Sequence, residues 1–266
     1  MHSELSWADR RVASALAEVG TRRPLVHCLT NIVVAGFTAN VLLAVDASPA
    51  MVENAEESGA FAAVAGAVLV NLGTLSGERE VAMRSASAAA HGGGRPWVLD
   101  PVAVGALAHR TALAADLLEL RPTVVRANAS EVMGLTGAGP GGRGVDSLSG
   151  SDEALDHARE LARTHGCVVA VSGVVDYVTD GTDVVAVPGG DPLMTRVTGV
   201  GCALGALVAA FAAVDDDPLF AAAAASAVFA VAGERAARGG PGPGTFAVAM
   251  LDELGALADG VSPARA

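Results

Sequence analysis

Short runs of Val, Leu and Ala recur along this chain, each followed by a stretch with helical periodicity. Pro24-Leu25-Val26-His27-Cys28, Ala67-Val68-Leu69-Val70-Asn71, Pro96-Trp97-Val98-Leu99-Asp100, Pro122-Thr123-Val124-Val125-Arg126 and Cys167-Val168-Val169-Ala170-Val171 carry the pattern. Runs of this length without polar alternation are strands covered on both faces, and parallel neighbours need a crossover, usually a helix. The expected helices lie at Trp7–Val19, Ile32–Ala44, Glu53–Ala63, Gly77–Ala90, from Thr111, from Asn128 to Leu135, and at Asp152–Thr164. Asp176–Thr179 and Val184–Val187, either side of Asp180-Gly181-Thr182-Asp183, read as a late hairpin. The tail is helical over Pro218–Arg238 and Thr245–Leu257, with a breaker at 239–244. Roughly five or six strands alternating with helices predict an α/β fold of three layers, with a mostly parallel central sheet. Alternation resumes after the glycine-rich stretch 136–144, which is therefore a loop, and residues 1–266 are expected to form a single domain.

Composition narrows the function. Hydrophobic residues make up 52% of the chain but aromatic residues only 3%, so the core is built from Val, Leu and Ala. A net charge of -12 with no Lys/Arg run argues against nucleic acid as a partner. The first residues hold no apolar signal segment. The near-apolar runs Ala203–Val214 and Pro218–Gly233 are short for a bilayer and are divided by Asp215-Asp216-Asp217, so no membrane is expected. Cys28, Cys167 and Cys202 lack metal-like spacing and fit a reducing, cytoplasmic compartment.

Chemistry concentrates where strands end and helices begin. Gly199-Val200-Gly201 turns directly into the apolar helix from Cys202 to Phe211. Unpaired amides there, together with the helix dipole, make an anion site of the kind phosphate occupies, although a tight turn before a buried helix has the same pattern. Thr30 or Asn31 can cap the helix from Ile32, or face a ligand at the sheet's carboxyl edge. Asp100 ends a strand, well placed for a metal or a proton, yet Asp before Pro101 is also ordinary turn chemistry. Arg126 stands at the exit of its strand. Asn128 and Glu131 have capping-box spacing, and Glu131 also lies where it can hold Mg2+ through water.

Six blocks, in order, carry a resemblance. They are His27-Cys28-Leu29-Thr30-Asn31, Ala47-Ser48-Pro49-Ala50-Met51, Asp100-Pro101-Val102-Ala103-Val104-Gly105-Ala106, Arg126-Ala127-Asn128-Ala129-Ser130-Glu131, Gly144-Val145-Asp146-Ser147 and Val197-Thr198-Gly199-Val200-Gly201-Cys202. Together they resemble the hydroxyethylthiazole kinases, and the resemblance runs from about residue 24 to 252. The resemblance implies a ribokinase-like fold, with ATP as co-substrate and Mg2+ as cofactor. The reaction it implies is phosphorylation of 4-methyl-5-(2-hydroxyethyl)thiazole in thiamine salvage. It also implies a homotrimer whose active sites lie at subunit interfaces.

By position, Met51 resembles the residue that contacts the thiazole, with Asn31 and Gly199 on the substrate side. Arg126, Asn128 and Ser172 fall on the ATP side, and Asp100 and Glu131 resemble the carboxylates around magnesium. Gly199, Gly201 and Cys202 form the catalytic turn, Cys202 standing where many related sugar kinases carry an aspartate base. Base, weak hydrogen-bond partner and small helix-start residue are all open readings of Cys202. Ser172 and Val200 stand where threonine is frequent in the family, the first keeping a hydroxyl and the second losing one. The competing readings are a hydroxymethylpyrimidine kinase, a nucleotide-dependent hydratase-repair enzyme, a nicotinamide-dependent oxidoreductase and a non-catalytic nucleotide-binding protein. A dinucleotide fold wants its glycines after the first strand, where this chain has Leu29-Thr30-Asn31.

Overall fold

The computed structural model describes residues 2–138 and 151–261. In chain order these form β1 (His2–Glu4), α1 (Arg10–Arg22), β2 (Leu25–Leu29), α2 (Ala35–Ala44), β3 (Ser48–Ala50), α3 (Ser58–Val64), β4 (Ala67–Asn71) and α4 (Gly77–Gly92). Then come β5 (Trp97–Asp100), α5 (Ala108–Leu118), β6 (Val124–Asn128), α6 (Ala129–Leu135), α7 (Leu155–His165), β7 (Val168–Ser172), β8 (Val175–Thr179) and β9 (Val184–Pro188). A short 3-10 helix, Pro192–Arg196, leads into α8 (Val200–Ala212), α9 (Pro218–Ala236) and α10 (Pro243–Val261). The strands join one sheet in the order β1-β9-β8-β7-β6-β5-β4-β2-β3. All its pairings are parallel except the two made by β8, the hairpin strand.

Strand side chains alternate between faces, and that alternation sorts the core into two layers. Cys28, Ala67, Leu69, Val98, Val124, Val168 and Ala170 pack with α1, α2, α8, α9 and α10. Their neighbours Val68, Val70, Trp97, Leu99, Val125, Val169 and Val171 pack with α3, α4, α5, α6 and α7. The result is helix, sheet and helix, the three layers expected of buried parallel strands. Helix α9 is long and apolar enough to cross a bilayer, longer than the expected run because it continues past Gly233. Yet 67% of its most apolar stretch is buried inside the fold, against the sheet.

Several expected starts are displaced, each by a side chain that takes a different partner. Helix α1 begins at Arg10 and not Trp7, because the Asp9 carboxylate accepts from the Arg11 backbone N–H. Helix α2 begins at Ala35 with Val34 as its cap, and neither Thr30 nor Asn31 caps it. Helix α3 starts at Ser58, after Asn54 Oδ1 has accepted from the Glu56 N–H in a turn. Helix α7 starts at Leu155 without a side-chain cap, since Ser151 donates its hydroxyl to Val175 O at 2.6 Å. Strands β1 and β3, three residues each, were not expected; both exist as edge partners, of β9 and β2. The block Gly144–Ser147 lies outside the described residues.

Candidate active site

Parallel strands place their carboxyl ends along one edge, and here each of the five central ones is closed by polar residues. Thr30 and Asn31 follow β2, while Asn71 ends β4, Asp100 ends β5, Arg126 and Asn128 close β6, and Ser172 ends β7. Counting back by twos, Asn71, Asp100, Arg126 and Ser172 share the face of Leu69, Val98, Val124 and Ala170, the face that α8 covers. The N-terminus of α8 therefore sits over them. Gly199 caps it in the left-handed region, with φ 95°, where only glycine is unstrained. Gly201 lies so close to Arg126 that a Cβ there would stand 3.0 Å from Nη1 and 3.1 Å from Nη2.

Below this helix end runs a chain of polar contacts. Asn31 Nδ2 donates to Cys202 Sγ at 3.3 Å and to Asn71 Oδ1 at 3.2 Å. Asn71 Nδ2 donates to Asp100 Oδ2 at 2.7 Å. Arg126 Nη1 stands 4.0 Å from that same oxygen, and Arg126 Nη2 donates to Ser172 Oγ at 2.8 Å. Asp100 is fully buried, and its Oδ1 has no hydrogen-bond partner. Burial pushes the Asp100 carboxyl up to about 6, against the pull of Arg126 and Asn71. Burial, then the charge of Asp100, pushes Glu131 up to about 7. Burial foremost, with Asp100 behind it, raises the Cys202 thiol to about 11, so it stays protonated at neutral pH.

Comparison with known proteins assigns this architecture. The model of the hydroxyethylthiazole kinase family matches residues 16–259. A hydroxyethylthiazole kinase of Kineococcus radiotolerans is 59% identical over 246 residues, 92% of this chain and 90% of that one. The chain belongs to the hydroxyethylthiazole kinase family. The solved structure of a hydroxyethylthiazole kinase from Pyrococcus horikoshii OT3 superposes with a TM-score of 0.86 at 39% identity, covering 93% of this chain and 94% of that one. A ribokinase-like superfamily protein from Enterococcus faecalis V583 shares the fold alone, with a TM-score of 0.66 at 13% identity over 96% of both chains. The fold is thus ribokinase-like.

In this member of the family, the structure brings together Asn31, Asp100, Arg126, Ser172, Gly201 and Cys202, with Gly199 at the helix cap. Asn128 and Glu131 form the capping box of α6: Asn128 Oδ1 accepts from Glu131 N at 2.9 Å, and Glu131 Oε2 accepts from Asn128 N at 2.9 Å. Glu131 Oε1 accepts from Ala103 N at 3.1 Å, tying α6 to the loop after Asp100. Met51 stands apart from the cluster, just past β3 at the sheet's edge and half-buried against the core. His27 holds that segment through Val52 O, 2.7 Å from Nε2, and meets the Phe61 ring edge-on at 5.0 Å.

For a metal, the described residues contain no group of three or more His, Cys, Asp or Glu side chains. Mg2+ does not require one, since it binds through one or two carboxylates plus phosphate and water. The unpartnered, buried Asp100 Oδ1 fits that demand. Both oxygens of Glu131 already serve backbone N–H groups.

Asn71, Arg79 and Arg110 were not anticipated from sequence. Arg79 donates to Thr30 O and to Glu53 Oε1, joining the loops that carry Asn31 and Met51. Arg110 donates to Gly73 O at 2.7 Å and Val102 O at 3.3 Å. Asn71 had a readable signal: a polar residue closing an otherwise apolar strand, as Asp100 does.

Proposed function

We propose that this protein transfers the terminal phosphoryl group of ATP to the primary alcohol of 4-methyl-5-(2-hydroxyethyl)thiazole, giving the monophosphate used in thiamine salvage. The observation that carries this reading is the α8 N-terminus seated over the Asp100–Arg126 pair. Phosphoryl transfer has a loose transition state, so the protein's part is positioning and charge neutralisation. Amides of the Gly199–Cys202 turn hold the phosphoryl group, with the helix dipole aligned on it. Arg126, fixed by Ser172, presents its guanidinium to phosphate oxygens, and Asn128 lies beside it on the ATP side. Asp100 would hold Mg2+ directly and Glu131, whose oxygens already accept from backbone N–H groups, through water; when bound, the ion neutralises phosphate charge. Gly199, Asn31 and Met51 make the alcohol side, where the protonated Cys202 thiol acts as a hydrogen-bond partner to the substrate oxygen.

The reading extends to a homotrimer with shared active sites. Two exposed apolar side chains beside Asn31, Ile32 at 73% and Val33 at 72% exposure, and the edge position of Met51 support a neighbouring subunit closing the substrate side. One continuous sheet supports residues 1–266 as one domain, and three free cysteines support a cytoplasmic setting.

The test is ADP release from ATP and Mg2+ with the hydroxyethylthiazole, run beside hydroxymethylpyrimidine, with product mass measured. Thiazole-dependent ADP and a thiazole monophosphate are expected. Turnover of the pyrimidine alone would overturn the substrate, and silence with both would leave a nucleotide-binding protein without this activity.

A further inference from the structure

We propose that Asn71 is a positioning residue that locks the alcohol side of the site to its carboxylate side. The inference rests on the kinase reading of this same site.

Asn71 ends β4, between β2, which leads to Asn31, and β5, which ends in Asp100. Its side chain is fully buried, and its orientation is set by a group that has no choice. The Gly73 backbone N–H lies 2.9 Å from Asn71 Oδ1. A backbone N–H can only donate, so the atom it meets is the carbonyl oxygen and the amide cannot be flipped. The turn behind it is held as well, because Arg110 donates to Gly73 O at 2.7 Å.

Two consequences follow from that one orientation. The Asn71 NH2 group points at Asp100 Oδ2, 2.7 Å away, and fixes the carboxylate with its Oδ1 left unpartnered. Its Oδ1, already accepting from Gly73, also accepts from Asn31 Nδ2 at 3.2 Å. Asn31 is thereby held with the same NH2 group on Cys202 Sγ at 3.3 Å. Donors run in one direction, from Asn31 through Asn71 to Asp100, so the alcohol-facing and carboxylate groups cannot reorient independently. Residues placed this way behind a ligand tune it without touching the reacting atoms.

The test separates the two arms of one side chain. Asn71→Asp replaces the neutral NH2 donor by a second carboxyl group set against Asp100 and keeps the acceptor for Gly73 and Asn31; Asn71→Ala removes both. Thiazole affinity is read by calorimetry without ATP or metal, and kcat is read with both. Asn71→Ala is expected to weaken thiazole binding about two- to tenfold, the size of a lost hydrogen bond, and to lower kcat on the order of 10–100-fold. Asn71→Asp is expected to lower kcat comparably while binding thiazole within about twofold of the unaltered protein. Asn31→Ala combined with Asn71→Ala should weaken binding no more than the larger single effect. If Asn71→Asp loses as much thiazole affinity as Asn71→Ala, or the double variant is additive, the coupling is wrong. Unchanged kcat in folded Asn71→Asp would also overturn it. If the unaltered protein does not turn over thiazole, the kinase reading fails instead, a result visible before any variant is made.

Discussion

Gly201 of helix α8 lies directly against Arg126 of β6: a Cβ at 201 would lie 3.0 Å from the guanidinium Nη1. Gly201 therefore serves the site although it lies within the helix. Alanine there would favour the helix by about 1 kcal/mol while displacing the arginine from Ser172. Gly201→Ala is expected to unfold no earlier on heating than the unaltered protein, yet to raise the KM for ATP about tenfold. Steady-state kinetics set beside thermal unfolding decide it; an unchanged KM would show that Arg126 yields freely.

Gly199 should behave in the opposite way. Its φ of 95° is strained for any other residue, and a Cβ would fall 2.5 Å from Val34 Cγ1. Gly199→Ala is expected to cost about 1–3 kcal/mol of stability, read as a lower urea midpoint. Retention of the midpoint would mean that the cap refolds into another conformation.

Acid stability follows from the buried carboxyls. Asp100 and Glu131 are raised to about 6 and about 7 when folded, above their ordinary values of about 3.9 and 4.3. Asp176, pushed up to about 6 by burial, acts in the same sense. Across that window the folded, metal-free protein holds more protons than the unfolded chain. The stability these groups contribute is full below the ordinary carboxylate range and is lost as pH rises through 6 and 7. Asp100→Asn removes a fully buried charge, so near pH 8 it should be more stable than the unaltered protein by on the order of 1–3 kcal/mol, with almost no kinase activity. Urea unfolding near pH 5 and near pH 8 measures this; a variant less stable at both would refute the sign.

Cys202 poses a question of magnitude. A general base contributes about 10²–10⁴ in rate, whereas one lost hydrogen bond amounts to about tenfold or less. With its thiol raised to about 11 by burial, Cys202 belongs to the second class. Cys202→Ala should lower kcat less than about tenfold. A loss beyond a hundredfold, at equal folded fraction, would make the thiol a base.

Much of this molecule was written in local patterns. Period-two alternation put Asp100, Arg126 and Ser172 on one face of their strands, and apolar runs called for helices on both sides. The Asn128–Glu131 capping box and the Gly199–Gly201 turn were legible because their partners lie within a few residues. What sequence left open was the partner each polar side chain takes across the chain. Asn31 and Ser151 carry residue types that cap helices, but one turns to Asn71 and Cys202 and the other to Val175 O. The strand order that sets β4 between β2 and β5 made Asn71 the link between Asn31 and Asp100. Raised carboxyl pKa values likewise depend on how deeply those groups are covered. Sequence determined which residues stand at the carboxyl edge, because strand ends and turns are set locally. Tertiary structure alone decided which of them touch, because hydrogen bonds and desolvation depend on neighbours distant in the chain.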